Sequence, residues 1–199
     1  MVIPQGEVQS LQRYPVKSMQ GECLENVQVS TYGLLGDRGY AVQDMETGHI
    51  VNAKHPEKWR TMLDSRAHYD CEPSADNPFP PIIITLPDGV EIRSDDPEVD
   101  RRLSDSFGRS VRLVRTGAVP EPTREADRAD VNAAEPDIRI EPMGRAAPEG
   151  GFFDYAPLHI VSTATLTYLS KLYPRGVFDL RRFRANVVVD LATEPGPLP

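Results

Sequence analysis

Lys17 and Ser18 stand together in the stretch RYPVKSMQG, directly after a rigid Tyr14-Pro15-Val16 approach. An ammonium and a hydroxyl at the end of an extended segment can cradle an anion, or can form a solvated turn. Arg38, in TYGLLGDRGYAV, opens a strand after a loop as Lys17 closes one. If the two segments are neighbours, a lysine point charge, a hydroxyl donor and a guanidinium fork converge on a phosphate. A second positive cluster lies in DLRRFR, where Arg181, Arg182 and Arg184 surround Phe183. It reads equally as an anion site or as a solvated face of alternating charge, and the sequence leaves both open.

Other constellations are weaker. Gly33, Gly36 and Gly39 fit neither GxGxxG nor GxxxxGK[ST], so no nucleotide fold follows from them. His49, His55, His68 and His159 are scattered without a GxSxG-type nucleophile motif, and His159 in PLHIVS reads as a core histidine. Cys23 and Cys71 lack a CxxC or a histidine at ligand spacing, which argues against zinc or a disulfide framework and predicts small buried hydrophobes.

The elements that must position these groups come from a 199-residue chain with formal net charge -8. That is enough chain for one generous domain or two small ones. The acidic balance opposes non-specific nucleic-acid binding, which needs an excess of Lys and Arg. The start, MVIPQGEVQS, has no basic segment followed by an apolar one, and nowhere do 18 apolar residues run together. A reduced, cytoplasmic protein without membrane association is the expectation.

Short strands dominate the first half. GEVQSLQRYPV alternates loosely, CLENVQVST alternates Leu24, Val27 and Val29, and RGYAVQD and HIVNA follow one another across METG as a meander. PPIIITLPDGVEIRS is the clearest hairpin, with Asp88-Gly89 at its turn. SDDPEVDRRLSDSFG predicts a short amphipathic helix with an Asp cap, Pro97 in its first turn, an apolar face of Val99, Leu103 and Phe107, and a stop at Gly108. SVRLVRT returns as a strand. Residues 117–150, with five prolines, eight acids and four basic residues, read as a long loop. Beyond it APLHIVS is a strand, Ser162 caps a helix whose face carries Leu166, Leu169 and Leu172, and FRANVVVDL is a strand covered on both faces. Such a strand needs neighbours, and the sequence offers few locally before the terminal ATEPGPLP.

Three motifs in order, YPVKSMQG, GLLGDRGYAV and RRFRANVVVD, resemble the MOSC proteins that begin with a MOSC N-terminal β-barrel domain, the group that includes the mitochondrial amidoxime-reducing component and its bacterial relatives. The resemblance spans nearly the whole chain and is weakest across 60–150. It implies a mainly β fold with α elements (α+β): a β-barrel-like domain at 1–116, the acidic loop at 117–150, and the first part of a MOSC domain at 151–199. It also implies the molybdenum cofactor, a pterin dithiolene with a terminal phosphate, held here by Lys17, Ser18, Arg38, Arg184 and Asn186. Pyridoxal phosphate binding is a further family-level association.

Two departures qualify what the resemblance implies. The family's hydroxyl residue before the proline of the post-loop strand is replaced in DYAP, where Ala156 cannot donate and Tyr155 is the nearest substitute. The family's metal-ligating cysteine lies beyond the last motif, and neither Cys23 nor Cys71 matches it. Related complete enzymes reduce N-hydroxylated compounds with electrons from a haem or iron–sulfur partner. The chain is accordingly expected to bind the cofactor with weak or no activity by itself, and to act otherwise as a cofactor or sulfur carrier or as an interaction domain.

Overall fold

The computed structural model describes residues 6–52, 54–128, 137–147 and 151–191. In chain order its elements are β1 (Gly6–Arg13), β2 (Glu22–Leu24), β3 (Val29–Ser30), β4 (Gly33–Leu34), β5 (Tyr40–Asp44), α1 (Pro56–Asp64) and β6 (Arg66–Tyr69). Then come β7 (Ile82–Thr85), β8 (Glu91–Arg93), α2 (Val99–Phe107), β9 (Val111–Arg115), β10 (Thr123–Arg128) and β11 (Asp137–Pro142). The last are β12 (Ile160–Ser162), α3 (Thr163–Leu172), α4 (Leu180–Phe183) and β13 (Val187–Leu191). The fold is mainly β with helices, as α+β requires, but among the described residues the strands form small open sheets and no closed barrel.

The β7–β8 hairpin forms where Gly89, at φ +86°, supplies the left-handed turn conformation that Asp88-Gly89 signals. Strand alternation then sends Ile82, Ile84 and Ile92 to one face, where each is fully buried with Val16, Met19, Trp59, Met62 and Leu103 in the main core. Leu103 comes from α2, whose Val99 and Phe107 pack on the same core and whose C-terminus closes on Gly108 at φ +65°. The helix starts about two residues later than expected. Glu98 is its N-cap, and Asp96 Oδ1 accepts the Glu98 N–H at 2.9 Å, so Pro97 lies in the approach rather than in the first turn. Trp59 and Met62 reach the core from α1, which the sequence reading passed over; Pro56 starts it and non-helical dihedrals at Trp59 bend it.

The meander is replaced by longer-range pairing. METG does turn, returning Ile50 opposite Gln43 in a single bridge, but β5 takes its full partner from β9. Val29 is exposed, so its segment pairs only briefly, as β3 with β4. The span expected to be loop holds β10 and β11 as an antiparallel pair from Thr123↔Pro142 to Arg128↔Asp137. Their many charges hide any period-two pattern. What fixes them is docking on the chain after β5, where Ile50 N–H donates to Thr123 O (2.8 Å) and Asn52 Nδ2 to Glu125 O (2.7 Å).

The two ends of the described chain meet in a four-stranded sheet ordered β12-β13-β1-β2. β13 runs parallel to β12 and antiparallel to β1, so both of its edges are paired. The expected two-sided cover is incomplete: Val188 is buried, while Val187 and Val189 are half-buried. Ser162 caps α3 as expected, its Oγ accepting the Thr165 N–H at 3.0 Å. Leu166 packs on Val161, Ala185 and Val188, but Leu172, expected on the same face, is exposed. The terminal ATEPGPLP lies outside the described residues.

Candidate anion site

Pro15 holds the chain extended after β1, and the stretch from Tyr14 to Lys17 runs beside the one from Arg38 to Tyr40. Arg38 N–H donates to Tyr14 O (2.8 Å), Tyr40 N–H to Pro15 O (2.9 Å) and Lys17 N–H to Tyr40 O (2.9 Å), with a parallel bridge between Val16 and Tyr40. These two segments are therefore neighbours, as convergence of Lys17 and Arg38 requires. Arg184 arrives from a third direction, at the C-cap of α4 and just before β13.

Tyr14 joins the two arginines. The Arg38 guanidinium carbon lies 4.9 Å from its ring centroid and that of Arg184 4.6 Å. Arg38 Nη2 donates to Arg184 O (3.3 Å), and Arg184 Nη1 donates to Met19 O. Arg184 Nη2 is buried and has no hydrogen-bond partner among the described residues. Four described non-glycine residues have positive φ, and three of them are Ser18 (+67°), Arg38 (+50°) and Arg184 (+50°). Three of the four unfavourable non-glycine backbone conformations among the described residues thus fall at the candidate-site residues.

Asp37, which the sequence reading did not single out, holds the constellation together. Its buried carboxylate accepts Tyr14 N–H (2.8 Å) and Asn186 Nδ2 (3.0 Å) and pairs with Arg38 Nη1. Asn186 is buried too, and protein groups engage its whole amide: Nδ2 also donates to Gln12 O (3.3 Å), and Oδ1 accepts His159 N–H (3.1 Å). Asn186 thus positions the others and presents nothing outward.

Lys17 is only 3% exposed and donates Nζ to Asp154 Oδ1 at 2.7 Å. Burial, with Arg38 and Arg184 nearby, lowers its pKa to about 8 despite Asp154. Burial and then Arg38 lower Arg184 to about 10. Burial is the main cost to the Lys17 and Arg184 charges and the nearby arginines add to it, so an incoming anion offsets lost solvation as well as repulsion.

The surrounding space is divided. An open groove of about 1080 Å³ is lined by Tyr14, Ser18, Cys23, Arg66, Arg182 and Arg184. A smaller cavity of about 400 Å³, lined by Leu34, Phe79, Phe153 and Arg38 among others, is mostly apolar. Ser18 and Arg184 therefore share one space, and Arg38 lines the other; Lys17 and Asn186 line neither. Of the DLRRFR arginines only Arg184 turns inward, since Arg181 pairs with Asp179 (2.7 Å) and Arg182 donates to Val177 O (2.9 Å). Arg13, four positions before Lys17, is consumed by Glu22 (2.8 Å) and a two-point pair with Glu72.

Several expectations change. Cys23 and Cys71 are exposed thiols rather than buried hydrophobes, and Cys23 lies in the groove. His159 is exposed instead of buried in the core. Tyr155 is exposed as well. No cluster of three or more His, Cys, Asp or Glu side chains suited to a metal ion occurs among the described residues, and no described helix is long and apolar enough to cross a membrane.

Residues 5–64, which carry Tyr14, Lys17, Ser18, Asp37 and Arg38, match the model of the MOSC N-terminal beta barrel domain. Over that stretch the chain is similar to the N-terminal domain of MOSC proteins, a family associated with the molybdenum cofactor. No curated protein matches the chain.

Proposed function

We propose that the chain binds the molybdenum cofactor, with Ser18 and Arg184 taking its phosphate in the groove and Lys17 and Arg38 supplying the surrounding positive potential. The observation that carries this reading is the buried Arg184 Nη2, which has no hydrogen-bond partner among the described residues although the nearby Asp37 and Asn186 side chains are both engaged. A buried guanidinium donor left unpaired costs about 1–3 kcal/mol, and a phosphate oxygen restores that loss. The oxygen shells of a phosphate suit a fork of N–H donors better than they suit an ammonium alone.

When bound, the cofactor would supply two-electron redox chemistry of the kind related enzymes use on N-hydroxylated compounds. The chain's own contribution is binding and orientation. The Tyr14 ring holds the Arg38 and Arg184 planes, Asp37 keeps the former in place, and Met19 O anchors the latter. The groove is large enough for a pterin and its phosphate.

Metal and pterin content of the purified chain tests the reading. Molybdenum and a fluorescent oxidised pterin should accompany the parent and be lost in Arg184→Gln. Neither being found in any preparation, together with no thermal stabilisation by a pterin phosphate, would overturn it.

A further inference from the structure

Arg124, in β10, meets Lys17 at a single carboxylate. The two side chains are 8% and 3% exposed, whereas the Asp154 side chain between them is 56% exposed. Asp154 Oδ1 accepts Lys17 Nζ at 2.7 Å and stands 3.4 Å from Arg124 Nε. The Arg124 fork is poorly used: Nη2 donates to Glu141 Oε2 (3.2 Å), while the buried Nε and Nη1 have no hydrogen-bond partner among the described residues. Two buried cations thus share one oxygen of a half-solvated acid, and donors remain unspent.

We propose that Lys17 and Arg124 form an oxyanion subsite that Asp154 plugs, and that a phosphate or phosphate monoester displaces the Asp154 carboxylate to take up both cations. This rests on the proposed reading of Lys17 as part of the cationic surround of an anion, makes it a direct ligand, and adds Arg124, which lies outside the matched family domain. A tetrahedral oxyanion brings at least three oxygens where Asp154 Oδ1 brings one, so Lys17 Nζ, Arg124 Nε and Arg124 Nη1 each gain an acceptor. The plug can leave without unfolding its segment. Phe152 and Phe153 are buried and anchor the chain, while the Asp154 carboxylate reaches solvent by rotating its side chain. Arg38 and Arg184 act electrostatically on Lys17, so this subsite adjoins the Tyr14 wall and the two places can serve one ligand.

Inorganic phosphate is the probe, titrated calorimetrically into the parent, Asp154→Asn and Arg124→Gln. Removing the competing charge should tighten phosphate binding about tenfold, and Arg124→Gln should weaken it by about as much. In the parent, nuclear magnetic resonance should show the Asp154 backbone amide shifting as phosphate saturates, a readout that holds even if a variant fails to fold. Equal or weaker phosphate binding by Asp154→Asn with an unmoved Asp154 amide, or no phosphate binding by any form, overturns the plug. Cofactor content of the parent is unaffected by that result, so loss of the plug and loss of the cofactor reading separate cleanly.

Discussion

Asn186 Nδ2 donates to Asp37 Oδ2 at 3.0 Å across 149 positions of chain, and with that bond the strand β13 is fastened to the loop that carries Arg38. The same carboxylate receives Tyr14 N–H and Arg38. One acid therefore sets the relative positions of three segments on which the cationic wall is built.

Removing that acid should be costly. Asp37→Ala leaves the Arg38 charge uncompensated and strands the Tyr14 and Asn186 donors, and is expected to destabilise the fold by about 3–5 kcal/mol. Urea unfolding of Asp37→Ala beside Asp37→Asn checks this, with the asparagine variant losing less. A loss within 0.5 kcal/mol of zero, about what a surface change costs, would show that the hub contributes little.

The core offers a control on ordinary packing. Leu103 has no exposure, so Leu103→Ala should cost about 2–5 kcal/mol through lost transfer energy and the cavity left behind. Val29→Ala, at a side chain 63% exposed, should stay within about 0.5 kcal/mol. Thermal or chemical melts of the pair read the contrast directly.

Cys23 reports on the groove because its thiol lines it, whereas the exposed Cys71 does not. A maleimide should label both in the ligand-free chain. Saturating pterin phosphate should slow labelling at Cys23 and leave Cys71 unchanged, as peptide mapping by mass spectrometry would show. Equal protection of both thiols would point to a global effect rather than to occupation of the groove.

The pH dependence follows from Lys17, whose folded pKa is lowered from 10.5 to about 8. Between those values the unfolded chain binds more protons, so stability attributable to Lys17 rises as pH increases from about 8 to 10.5. Its burial penalty is fully present below pH 8, on the order of 3 kcal/mol from the size of the shift. Asp154, Arg38 and Arg184 act on its charge, and Arg124 shares the Asp154 oxygen with it. Lys17→Met should accordingly be more stable than the parent near pH 7 and lose that advantage toward pH 10.5. Phosphate affinity of the parent should fall over the same rise in pH, as the ammonium loses its proton. A flat difference between the two proteins across this range would contradict the assignment.

Local signals carried much of the reading. Asp88-Gly89 between β-branched runs, Ser162 ahead of a helical pattern and Gly108 at a helix end each act within a few residues, and each formed as the sequence predicts. That YPVKS and GDRGY could lie side by side was legible for a similar reason, since a proline-stiffened segment ending in Lys17-Ser18 and a strand opening at Arg38 are each set by residues close together in the chain. Residue types and spacing did not say which arginine of DLRRFR turns inward, and only the family resemblance singled out Arg184, because exposed and buried guanidiniums look alike until the Arg184 C-cap adopts its left-handed conformation over Tyr14.

By itself, then, the amino-acid sequence determined the residue types of a cationic site, its hairpin, its capped helices and its mainly β character, all properties of neighbours along the chain. Only the tertiary structure decided that β1 would supply the missing edge of β13, that the charged span after Gly117 would pair as β10 and β11, and that Asp37, Arg124 and Asp154 would stand among the cations. These contacts join residues from 9 positions apart, Arg128 and Asp137, to 185 apart, Gly6 and Leu191. The strand pairings rest on backbone hydrogen bonds and the Asp37 and Asp154 contacts on charges that compensate one another, and no local period or composition records which distant partner will do so.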